Sequence, residues 1–180
     1  MANSKRNKDL CVKVARDVLA QLRLKRYFAE PGTYVNLNFD TYEDNVRQLS
    51  FKDFFKENKE ATCNVCALGA AFVSLINIKN KCSVDEIDDH STIFDRLEEV
   101  FGQKNMALME SAFESVRMVR EDYDDYDMLN AAADWGTKFY DDNQRLRAIM
   151  LNVVRNGGDF KLPKKTLERI ERQASSQYMF

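Results

Sequence analysis

The feature that most constrains this chain is "ATCNVCALGAAFVSLINI", residues 61–78, a stretch without a single charged residue. A helix that is apolar nearly all round is one buried on most sides. Thr62 is placed to act as an N-cap, with Cys66, Ala70, Val73 and Ile76 marking a line along the helix behind it. The expectation is a central helix over about 62–77. Cys66, Ala67, Gly69, Ala70 and Ala71 would give it a small-residue surface against which another element can press closely.

The remaining chain reads as helices around that centre. Only 6 Gly and 2 Pro occur in 180 residues, whereas an all-β chain needs a turn every ~8–12 residues. Residues 8–28 carry Cys11, Val14, Ala15, Val18, Leu19 and Leu22 at three- and four-residue steps, an amphipathic pattern that stops at Pro31–Gly32. Residues 33–60 are the least determined: "TYVNLNF" suits a short extended piece and "NVRQLSFKDFFKEN" a marginal helix. Further helices are expected from Ser91 or Thr92 to Gly102, from an Asn105 cap through Val116, and through Met128, Leu129, Ala132, Trp135 and Phe139. Another runs from an Asp141–Asn143 cap to Gly157–Gly158, and a short basic one opens at Pro163, leaving 174–180 as a tail. The fold class expected is therefore all-α, a compact bundle of six to seven helices in a single domain, 1–180. A hydrophobic content of 44% is enough for its core.

No apolar run approaches the ~18–20 residues of a membrane span, and "MANSKRNKDL" lacks the apolar centre of a signal peptide. A cytoplasmic protein without membrane contact is expected. In a reducing compartment Cys11, Cys63, Cys66 and Cys82 would be thiols or metal ligands rather than disulfides. Net charge is only −2, yet basic ends flank an acidic middle, an arrangement that can steer a charged partner or merely solvate helix faces.

Cys63, Cys66, Cys82 and His90 could supply four zinc ligands, and Cys63-x-x-Cys66 suits thiolates on one ion. Cys82 and His90 do not form the second tight pair of a zinc signature, however, and apolar surroundings raise thiol pKa values rather than activate them. Packing is the preferred reading of the two cysteines. Asp122, Asp124 and Asp127 alternate like calcium-loop ligands, but the sixth and twelfth positions hold Asp127 and Ala133 where glycine and glutamate belong. A looser magnesium site, or an acidic helix start, remains for this cluster. A metal-dependent hydrolase using Asp122, Asp124, Asp125 and Asp127 is the enzyme alternative. No nucleophile-elbow, phosphate-loop or H-E-x-x-H pattern occurs, so no catalytic residue is assigned and no cofactor is expected apart from the zinc or magnesium alternatives.

Arg145, Arg147 and Arg155, with Trp135 and Tyr140 nearby in sequence, are the candidates for holding a small nucleotide-like anion at a helix N-terminus. Nucleic acid is disfavoured by a sequence pI near 5.6 and by the lack of aromatics interleaved with the basic residues. The 12 Phe, 7 Tyr and 7 Met exceed what one core accommodates. Some are expected at a subunit interface, a homodimer being the simplest form.

"CALGAAF", then "MESAFE", then "RLRAIMLNVVRNGGDF" together resemble a pattern of small helical proteins of bacteriophages and bacteria, over about half the chain. The resemblance implies a context rather than a residue: a phage accessory protein, acting in the host cytoplasm by binding and blocking a host defence component. The function expected is thus a non-enzymatic binding protein that inhibits or sequesters a host protein or a small nucleotide-like ligand.

Overall fold

The computed structural model describes residues 2–38, 53, 56–79, 90–116 and 126–177. Helix α1 spans Ala2–Arg23; strands β1 (Tyr27–Ala29), β2 (Val35–Asn38) and β3 (Thr62–Val65) follow. The other helices are α2 (Ala67–Lys79), α3 (His90–Phe101), α4 (Gln103–Glu114), α5 (Tyr126–Gly136), α6 (Asp142–Arg155) and α7 (Lys164–Gln177).

The all-α expectation is overturned by a three-stranded mixed sheet of order β1-β3-β2. β3 runs parallel to β1, pairing Tyr27 with Cys63 and Ala29 with Val65. It runs antiparallel to β2, pairing Val35 with Val65 and Leu37 with Cys63. The short extended piece expected near residue 35 is β2. Of the other two strands, β1 overlaps the end of the helix expected over 8–28 and β3 falls inside the one expected over 62–77, because strands of three and four residues are too short to impose a period of two on sequences dominated by apolar neighbours. Their partners are distant in sequence, and pairing rather than propensity selects them.

Thr62 accordingly opens a strand instead of capping a helix. Along β3 the side chains alternate, Cys63 and Val65 inward and Thr62 and Asn64 toward solvent. The helix cap is Cys66, whose Sγ accepts the Gly69 N–H at 3.3 Å. From Ala67 to Ile76 every residue of α2 is buried, so a central apolar helix is present, beginning five residues later than expected. It packs against α1, α3, α4 and the sheet. Gly69 makes the sheet contact: a Cβ there would overlap the carbonyl of Tyr34 on the approach to β2.

Helix α1 also ends early. Arg26 N–H donates to Gln21 C=O and Lys25 N–H to Leu22 C=O, the paired closure of a Schellman turn. Lys25 takes the left-handed conformation, φ 56°, that the closure requires, and the chain turns directly into β1. Asn105 lies within α4 rather than capping it. Its side chain donates to Gly158 C=O and accepts from Phe160 N–H, fastening the chain that leaves α6. Phe139 lies beyond the end of α5, where its ring packs 4.9 Å from that of Trp135. The Asp141 cap is as expected, its carboxylate accepting Gln144 N–H at 2.8 Å.

Candidate functional site: an arginine-rimmed groove

The residues singled out from sequence are dispersed by the fold. Arg145 is held in a nest of carbonyls: Nη1 donates to Phe113 C=O at 2.8 Å, Nε to Gly136 C=O at 3.2 Å and Nη2 to Phe139 C=O at 3.1 Å. Asp142 completes the set with an ion pair at 2.9 Å, and only 12% of the arginine side chain is exposed. The Phe113 and Gly136 carbonyls belong to the C-terminal ends of α4 and α5, where helix dipoles favour a cation, and that of Phe139 to the turn just after α5. The guanidinium binds helix ends together.

Trp135 is committed in the same way, its ring 5.2 Å from that of Phe160 in an edge-to-face contact. Tyr140 stands fully in solvent, and Arg155 is exposed in the last turn of α6. Two turns of helix separate Arg155 from Arg147, about 12 Å along the axis.

Arg147 opens onto a concavity. A groove of about 610 Å³ lies between α1 and α6, lined by Arg16, Leu19, Ala20, Leu22 and Arg23 on one side and Asn143, Gln144, Arg147 and Leu151 on the other. Local sequence explains its form. Cys11, Val14, Ala15 and Val18 turn one face of α1 into the core, and Leu146, Ile149, Met150 and Val153 do the same for α6. The next stripe on each helix is then left half-buried along their seam: Leu19, Ala20 and Leu22 facing Leu151. Arg16, Arg23 and Arg147 are exposed at its edges. Among the described residues the lining includes three guanidinium groups and no carboxylate. Arg16 and Arg23 escaped notice in the sequence because they lie far from Arg147 in the chain; their seven-residue spacing, two helical turns on one face, was the available signal.

The cysteines sit apart from this groove. Cys63 is fully buried on β3 and Cys66 nearly so. Burial pushes both thiols upward, Cys66 to about 12, which disfavours the thiolate a metal or redox role requires. Cys11 is likewise raised by burial, to about 11, and donates to Val100 C=O at 3.1 Å. Cys82 and the side chain of His90 lie outside the described residues, as do Asp122, Asp124 and Asp125. Asp127 is exposed in the first turn of α5. Among the described residues, no three histidine, cysteine, aspartate or glutamate side chains cluster in a way that could hold a metal ion.

A second polar feature joins the β1–β2 loop to α4. Glu110 accepts the Tyr34 hydroxyl at 2.9 Å, and Glu114 accepts Gly32 N–H at 3.0 Å. Partial burial raises the Glu114 carboxyl above its ordinary range, and the nearby negative charge of Glu110 adds to that; the Gly32 hydrogen bond and the positive charge of Arg145 oppose it.

The fold and groove define a mixed helical domain with a cationic, apolar-floored seam. No family model matches the chain, and neither does any curated protein or solved structure. None of the described helices is long and apolar enough to cross a membrane.

Proposed function

We propose that this chain is a non-enzymatic binding protein that inhibits or sequesters an anionic ligand, taken up in the groove between α1 and α6. The observation that carries this reading is the convergence of Arg16, Arg23 and Arg147 around one half-buried apolar floor, with no carboxylate among the described lining residues. In a chain of net charge −2, such a local excess of positive charge attracts anions selectively and accelerates their encounter. The role as a blocking or sequestering agent rests on the accessory-protein resemblance of the sequence and is part of the same proposal.

The test is a binding survey by isothermal titration with anionic probes of two kinds, adenine and guanine nucleotides and acidic peptides. It is run on the native chain and on the Arg16→Glu/Arg147→Glu double variant. Binding that weakens with salt and is lost in the variant is the expected result. Anion binding that the variant leaves unchanged would place the site elsewhere and overturn the reading.

A further inference from the structure

The same groove specifies the kind of anion. We infer that its occupant is an amphipathic α-helix of a partner protein, presenting an apolar stripe to Leu19, Leu22 and Leu151 and acidic side chains to Arg16, Arg23 and Arg147. This rests on the groove being the binding site.

Three observations separate a helix from a small phosphorylated ligand. The floor is made of aliphatic side chains, and the described lining residues include no aromatic ring on which a nucleobase could stack. Among the backbone amides at the start of α6, where a phosphate could be cradled, that of Gln144 is already taken by the protein itself. Asp141 accepts Gln144 N–H, and Asp142 places a second carboxylate in the first turn. Asn143 is also engaged, its side-chain oxygen accepting Ala29 N–H at 2.9 Å. A phosphate approaching there would have to compete with the Asp141 carboxylate for the Gln144 N–H.

The arginines, by contrast, are spaced for a helix. Arg16 and Arg23 lie two turns apart on α1, about 10.5 Å along the axis, and Arg147 stands on the opposite wall. A helix seated in the seam of two packed helices buries side chains at every third or fourth position. Its flanking positions then recur at seven-residue intervals, matching the arginines as the edge charges of a coiled coil match one another. A second copy of this chain does not present that helix from α3. There the exposed acids Asp95, Glu98 and Glu99 accompany an apolar face, Ile93, Leu97 and Val100, that is already in the core.

The experiment uses a synthetic peptide with leucines at heptad core positions and glutamates flanking them, labelled for fluorescence anisotropy. Controls are a scrambled peptide of equal composition, inorganic phosphate and ATP. The patterned peptide is expected to bind the native chain and to gain helical circular dichroism on binding. Its affinity should fall roughly tenfold or more in Arg16→Glu/Arg23→Glu, which reverses two rim charges, and again in Arg147→Glu. All three arginines are exposed, so these variants keep the fold, which the far-ultraviolet spectrum verifies.

Equal binding of the scrambled peptide would overturn the helix inference while leaving an anion-binding groove. So would ATP or phosphate binding that depends on Arg147 while the peptide fails to bind. Self-association of the native chain that Arg147→Glu dissolves would replace the partner helix with a second copy. Failure of every anion to bind in an Arg147-dependent way would overturn this inference and the proposed function together.

Discussion

Arg145 Nη1 lies 2.8 Å from the carbonyl oxygen of Phe113, a contact between the first turns of α6 and the last turn of α4. The same guanidinium reaches Gly136 and Phe139, so one side chain from α6 joins the end of α4 to the turn that closes α5. An arginine prominent as a ligand-binding candidate is structural.

Replacing Arg145 with methionine should therefore destabilise the protein by about 2–4 kcal/mol, since the charge-assisted hydrogen bonds of one part-buried guanidinium are lost together. Lysine should restore only a minor part, because a single ammonium cannot span a fork-shaped set of acceptors. Urea denaturation measures both. Peptide affinity at the groove should stay unchanged in the folded fraction of either variant.

Gly69→Ala should be among the most damaging single substitutions in the chain. The added methyl would overlap the Tyr34 carbonyl, backbone that cannot swing aside, so α2 must move off the sheet. A loss of about 3 kcal/mol or more is expected, read as a fall in thermal midpoint or as failure to accumulate folded protein. Gly136→Ala should behave alike, its methyl meeting Ala112 C=O where α4 and α5 approach.

The Glu114 carboxyl is raised above its ordinary 4.5, first by burial. A carboxyl that holds its proton more tightly when folded stabilises the fold below its unfolded pKa. That contribution is lost as pH rises through the folded value. Glu114→Gln should therefore be more stable than the native chain at about pH 7, with the advantage shrinking toward about pH 5. Denaturation curves at both pH values test the sign; a native chain that is the more stable at neutral pH would contradict it.

Alkylation at Cys11, Cys63 and Cys66 should follow unfolding and not solvent exposure, because all three are buried with raised pKa values. With iodoacetamide at about pH 8, peptide mass spectrometry should find these three unmodified in the native protein and labelled in denaturant. Fast native labelling of Cys63 or Cys66 would revive a thiolate role for the pair.

Much of this protein was legible along the chain. Helical periodicity located α3, α5 and α6 and the core positions Val14, Val18, Leu97, Met109, Leu146 and Ile149, because a helix is written in neighbours three and four residues apart. Asp141 as a cap was readable for the same reason. The buried character of most of 61–76 followed from its lack of charge, although Thr62–Val65 are strand rather than helix. What the tertiary structure alone decided is whatever depends on distant partners. Tyr27 becomes strand because Cys63 lies beside it. Arg145 becomes a structural pin because three separate carbonyls converge on it. The groove exists because α1 and α6, from opposite ends of the chain, pack side by side and set Arg16 and Arg23 across from Arg147. Local spacing carries the energetics of a helix, whereas sheet pairing and clefts are stabilised by contacts that form only when remote segments meet.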